Sequence, residues 1–191
     1  MQGVIDLPEE LRPVADLVAA RLLDVSTRFD AQLESDLPPV NQLCKHIERY
    51  RGKMLRPTLV ILCGAAAHPK AGDGELASLV TDDHATLGAV CEMVHMATLV
   101  HDDVLDEAET RRRGDTVNRL RGNETAVILG DYLIASAYHL CSGLGSQRYA
   151  LAIGRASAVM CAGELLQLQL RATTRSMSRR ISRSSSGRRR S

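Results

Sequence analysis

Apolar residues return every third or fourth position along almost the whole of this 191-residue chain, and alternation with period two is never sustained. Leu11, Val14, Leu17, Val18, Leu22 and Val25 keep that spacing, which lines them up on one face of a helix. Pro38-Pro39 closes the first run and opens a second helix holding Leu43 and Ile47. Arg56-Pro57 starts a third, strongly apolar helix through Leu59, Val60, Ile61 and Leu62, and Gly72-Asp73-Gly74 reads as a loop. The pattern then predicts a long helix from Glu75 to Asp106 and a polar connection from Arg112 to Gly122 that holds a short turn of helix. Asn123 is the expected N-cap of the next helix, which Gly143 and Gly145 end, and a last helix runs from Gln147 to about Leu170. The expected fold class is all-α, with helices packed side by side.

Composition narrows the possibilities. Apolar residues make up 45% of the chain, enough for a real core, but there is no Trp and a single Phe. That composition argues against a base-stacking platform, and no nucleic-acid partner is expected of the helical domain. No apolar run reads as a transmembrane segment, and the acidic N-terminus lacks the apolar core of a signal peptide, so a cytoplasmic protein is expected. The five cysteines are scattered and never form C-x-x-C, which favours buried reduced thiols over disulfides or a zinc site.

The formal charge of +1 conceals two unlike stretches. Residues 171–191 hold eight Arg and no acid, leaving 16 bases against 23 acids in residues 1–170. Residues 1–170 read as the helical domain. The Arg/Ser-rich remainder, 171–191, has too little apolar surface to offset its ordering entropy and reads as a disordered tail. Either it binds RNA or another anionic surface, or it is a product of out-of-frame translation.

The chemistry concentrates between His95 and Arg113. Asp102 and Asp106 are four apart and share a helix face, with Asp103 beside them. Like charges at that spacing weaken a helix, and acids at its C-terminus oppose the dipole. Two readings are open: a solvated acidic helix end, or an oxygen-ligand face for Mg2+, which takes one or two carboxylates and completes its shell with water and phosphate oxygens. Basic groups surround the acids. Arg111, Arg112 and Arg113 come directly after them, Lys53 and Arg56 stand at a helix start that itself favours anions, and His95 lies two turns before Asp102 on the same face. Cations able to grip two phosphate chains around an acidic face describe a diphosphate site.

In these residues the chain resembles the trans-isoprenyl diphosphate synthases, or polyprenyl synthetases, over residues 41 to 170. Gly52-Lys53-x-x-Arg56-Pro57 is similar to the family's G-G-K-x-x-R-P motif, and His95 to Asp106 to its first aspartate-rich helix. Glu107 to Asn118 resembles the adjoining Arg-Arg segment. Gly130-Asp131-Tyr132-Leu133 and Gly163-Glu164-x-x-Gln167 resemble later helices. The resemblance implies a helical bundle of the isoprenoid-synthase type. It implies Mg2+-dependent condensation of isopentenyl diphosphate with an allylic diphosphate, and a homo- or heterodimer. By position, Asp102 and Asp106 would ligate Mg2+ and Asp103 would support them as catalytic acids. Lys53, Arg56, His95 and Arg112 would hold isopentenyl diphosphate, Arg111 the allylic diphosphate, and Gln167 would face the cavity. Ala97, small and five residues before Asp102, resembles the deeper channel floor of long-chain members such as octaprenyl and solanesyl synthases.

The pattern also departs from the family. No Asp occurs after Asp131, so the second aspartate-rich helix is missing, and the Lys-Thr segment expected after the last matched helix gives way to Arg and Ser. Arg51 replaces the first Gly of G-G-K, and Arg113 stands where Gly is usual; both read as extra cations in phosphate-facing loops. The expectation is a truncated prenyltransferase with impaired activity. The alternative is a non-catalytic subunit or fragment that pairs with an intact prenyl synthase. A terpene cyclase would need no isopentenyl site, which Lys53, Arg56, His95 and Arg112 argue against.

Overall fold

The computed structural model describes residues 8–72, 75–112 and 114–187. Seven α-helices carry them: α1 (Arg12–Leu33), α2 (Pro38–Ile47), α3 (Leu55–Ala67), α4 (Asp82–Leu105), α5 (Val117–Arg121), α6 (Asn123–Ser142) and α7 (Gln147–Gly187). A two-stranded hairpin, β1 (Thr110–Arg111) and β2 (Gly114–Asp115), pairs Thr110 with Asp115 and Arg111 with Gly114. The all-α class read from the spacing holds. The chain divides into two compact units between Gly145 and Ser146.

In the first unit α4 is the central helix, packed most extensively against α6, then α3 and α1. Ala85, Ala89, Val90, Met93, Met96, Ala97 and Val100 are all buried along it. Three of these seven are alanines, whose small side chains let neighbours approach on several sides. Val25 and Phe29 from α1, Ile61 from α3 and Leu133 from α6 complete the core, each contributing about 1.5–3 kcal/mol by burial. Arg21 ties α1 to the start of α4, donating to the Val80 carbonyl at 2.7 Å, while Arg28 pairs with Asp82 at 2.9 Å.

Two boundaries in the first unit differ from the sequence reading. The helix expected from Glu75 starts at Asp82, because Thr81 is extended and caps it: the Thr81 hydroxyl meets the His84 backbone, and His84 Nδ1 accepts the Thr81 N–H at 3.0 Å. Leu76–Leu79 forms only a 3-10 turn before that. At α6 the N-cap is Gly122, and Asn123 is already helical. Asp73 and Gly74 of the expected loop, and Arg113, lie outside the described residues.

The second unit is α7. It continues to Gly187 instead of ending near Leu170, so the backbone of the Arg/Ser stretch is helical as far as it is described. No Pro interrupts it after Gly163, and Arg is a good helix former. Residues 188–191 of the expected tail lie outside the described residues. Gln147–Arg171 is long and apolar enough to cross a membrane, with an 18-residue window of mean hydropathy 1.3, contrary to the expectation that no stretch qualifies. Length and composition of this order also occur in core helices of soluble proteins.

Candidate diphosphate site

The acids sit where α4 ends. The Asp106 N–H donates to the Asp102 carbonyl at 2.8 Å, so the two carboxylates lie one helical turn apart. Asp106 is the C-cap, and Glu107 then turns with φ 52. Asp102 is half-buried and Asp106 exposed, but Asp103 is buried at 1% exposure. The structure therefore separates Asp103 from the other two. Its Oδ1 accepts from Arg111 Nε at 2.9 Å and Arg111 Nη2 at 2.8 Å. Burial, opposed by this arginine, holds its carboxyl above the ordinary aspartate value. Among the described residues no group of three His, Cys, Asp or Glu forms a metal cage. The two carboxylates fit instead a hard cation that takes the rest of its shell from water and phosphate oxygens.

The cations come from two segments that meet beside α4. The first is the loop before α3. Met54, with φ 53, forms the N-cap of α3, so Lys53 and Arg56 bracket a helix N-terminus, both of them exposed. The second is the hairpin. Arg112, itself at φ 47, lies across Gly52 and donates through Nη1 to the Arg51 carbonyl. A Cβ on Gly52 would stand 2.7 Å from Arg112 Nη2, so a larger residue there would push the guanidinium aside. Three non-glycine residues with positive φ thus fall in the loops around the acid and basic groups, a distribution of backbone strain often found at functional sites.

His95 lies where the segments converge. It is half-buried, and its pKa is lowered by burial first and then by Arg56, Arg112 and Arg111. The structure thus brings His95, Arg56, Arg111 and Arg112 within electrostatic reach of one another, with Lys53 on the adjoining loop. Arg51 does not join them as a phosphate-facing cation. Its guanidinium stacks on the Phe29 ring, 4.0 Å from the centroid, and pairs with Asp30, both on α1. An aromatic face and a carboxylate one residue apart on α1 hold it back.

Sequence reasoning missed Glu92, Tyr50 and Asn118. Glu92 is buried at 3% exposure, one turn before His95. Burial raises its pKa against the opposing pull of Arg56, Arg51 and Arg112. An acid three before His95 on an otherwise apolar face was the available signal. Asn118 donates to the carbonyls of Asp103 and Ala108, at 3.2 and 3.0 Å, and so ties α5 to the end of α4. His101 braces α4 to α6: Nε2 lies 3.1 Å from the Val127 carbonyl and 3.5 Å from Asp131 Oδ1. Its ring fills the notch left by Gly130, where a Cβ would come within 2.1 Å. Ala97 is fully buried on α4. A cavity of about 430 Å3 between α2, α5 and α6, lined by Gln42, His46, Leu120 and Arg121 among others, contains none of the candidate residues.

Comparison with known proteins shows the family. The family model described as Polyprenyl synthetase matches residues 38–184. Octaprenyl diphosphate synthase of Escherichia coli (strain K12) is 34% identical over 158 residues, covering 83% of this chain and 46% of that protein. The all-trans-nonaprenyl-diphosphate synthase (geranyl-diphosphate specific) of Rhodobacter capsulatus is 35% identical over 167 residues, covering 86% of this chain and 47% of its own. Among solved structures, the polyprenyl synthase of Caulobacter crescentus CB15 complexed with calcium and isoprenyl diphosphate superposes with a TM-score of 0.70 at 29% identity, covering 83% of this chain and 45% of that one. The chain spans about half the length of the relatives it matches. It belongs to the polyprenyl synthetase family.

Proposed function

We propose that the chain provides the first half of a prenyltransferase site, one that condenses isopentenyl diphosphate with an allylic diphosphate in isoprenoid biosynthesis. The observation that carries this reading is the convergence of Arg56, Arg111 and Arg112 around His95, at the end of the helix that bears Asp102 and Asp106. Lys53, Arg56, His95 and Arg112 bind the diphosphate of isopentenyl diphosphate. Arg111 binds the allylic diphosphate. Asp102 and Asp106 would hold Mg2+, which supplies charge neutralisation to a departing diphosphate when bound. The residues' own work is electrostatic: fixed guanidinium groups and a helix N-terminus face the negative charge and need no reorganisation as it develops.

Calorimetric titration of the full chain with isopentenyl diphosphate tests the site. Binding that Arg56→Ala weakens by about tenfold or more is expected; failure to bind overturns the reading. Turnover with farnesyl diphosphate, isopentenyl diphosphate and Mg2+ is expected to be low for the chain alone. Robust product overturns the impaired-activity part of the proposal. A second reading, a subunit that associates with an intact prenyl synthase, is favoured by the exposed Leu151, Val159, Leu165 and Leu166 of α7. Co-purification with a full-length relative, together with a gain in turnover, supports it. A cytoplasmic location belongs to the same proposal and is tested by cell fractionation.

A further inference from the structure

Asp103 commits one oxygen, Oδ1, to both Arg111 Nε and Arg111 Nη2. Its other oxygen, Oδ2, is buried and has no hydrogen bond of ordinary geometry among the described residues. The same is true of the Tyr50 hydroxyl, and Tyr50 itself is only 1% exposed. Both groups adjoin the same arginine, since Arg111 pairs with Asp103 and lies over the Tyr50 ring. The Tyr50 pKa is pushed up to about 12, by burial first and then by the charge of Asp103, so the phenol keeps its proton. A protonated phenol is a donor and an ionised carboxylate an acceptor, and both are withdrawn from water. Over that ring, Arg111 Cζ stands 5.9 Å from the centroid. Tyr50 is held in turn by the 3-10 turn Glu48–Tyr50 and by the His46 ring, edge-on at 6.4 Å. His46 Nε2 meets the Asp115 carbonyl of the hairpin at 3.0 Å.

We propose that Tyr50 is a positioning residue: its hydroxyl, given to Asp103 Oδ2, fixes the carboxylate and through it the Arg111 guanidinium, leaving Arg111 Nη1 for a phosphate oxygen. Asp103 then serves to orient an arginine and leaves cation binding to Asp102 and Asp106. The inference rests on the reading that Arg111 holds an allylic diphosphate. Removing the hydroxyl changes no charge, so an altered anion affinity would be a matter of geometry and not of net electrostatics.

The test is titration of the full chain with inorganic pyrophosphate in four forms: wild type, Tyr50→Phe, Arg111→Gln and the double variant. Tyr50→Phe is expected to weaken binding about tenfold, the loss typical when a supporting group behind a ligand-binding residue is removed. In the Arg111→Gln background it is expected to have no further effect, because its influence passes through Arg111. No loss in Tyr50→Phe, or the same loss in both backgrounds, overturns the proposal. A second readout needs no ligand. The Arg111 Nε–H resonance is expected to be sharp and slow to exchange in the wild type and broadened in Tyr50→Phe; unchanged exchange overturns the proposal. If wild-type chain fails to retain pyrophosphate, the diphosphate reading falls, and the Nε–H comparison still decides the role of Tyr50. Should Tyr50→Phe fail to fold, the wild-type Tyr50 hydroxyl proton decides: a resolved, slowly exchanging signal supports the bond to Asp103, and its absence refutes it.

Discussion

His95 keeps company with three arginines while burial strips part of its ring of water, and both effects disfavour its protonation. Its folded-state pKa lies below the ordinary 6.5, so the unfolded chain takes up the proton first as pH falls. His95 therefore costs nothing well above that value and destabilises the protein progressively as pH drops through it. Urea midpoints measured between about pH 7 and 5 should fall more steeply for wild type than for His95→Gln. Pyrophosphate should reverse the shift, because added negative charge favours the imidazolium, and the His95 ring resonance should titrate at higher pH once it is bound. A separate expectation concerns the acids. Asp106→Ala should abolish any Mg2+-dependent gain in pyrophosphate affinity and leave Mg2+-independent binding nearly intact. Titrations with and without the metal check it.

The α4 helix shows what sequence periodicity could and could not reveal. Its apolar row, its acids at i and i+4, and His95 two turns upstream were legible, because helical spacing alone puts them on defined faces. Its start was not, since the apolar pattern runs smoothly through Leu76 and Leu79, while the signal that matters is a local cap, Thr81 with His84 standing where Glu or Gln is usual. Thr81→Ala should therefore cost about 0.5–2 kcal/mol by chemical denaturation. The pairing of Asp103 with Arg111 was equally hidden: adjacent acids look alike in a string, and only the hairpin's return shows which one meets an arginine. Arg51 misled for a similar reason, its partners Phe29 and Asp30 lying on α1, remote in sequence. At the joint of α4 with α6, Gly130→Ala would drive a methyl group into the His101 ring. We expect it to destabilise by about 1–3 kcal/mol, read as a lowered urea midpoint.

At the scale of the whole molecule, the family was legible from motif combinations, whereas the state of the chain was not. Residues 171–187 illustrate the difference. Low apolar content predicts a disordered tail there, whereas the backbone is helical as far as Gly187, a stretch rich in helix-forming Arg and free of Pro. Exposed leucines on α7 are where the associating-subunit reading is tested. Leu165→Glu with Leu166→Glu should reduce co-purification with a full-length relative several-fold, and should leave pyrophosphate affinity of the chain unchanged. Parallel pull-down and titration experiments separate the two effects.

The boundary between Gly145 and Ser146 has a practical consequence. The charged groups that act on His95 and Asp103, and the carbonyl that Arg112 grips, all belong to the same side of that boundary. A gene fusion or domain exchange made there would carry the whole candidate site across as one segment. The glycine-bearing joint is thus the natural splice point for building chimaeras that keep the candidate site and exchange α7.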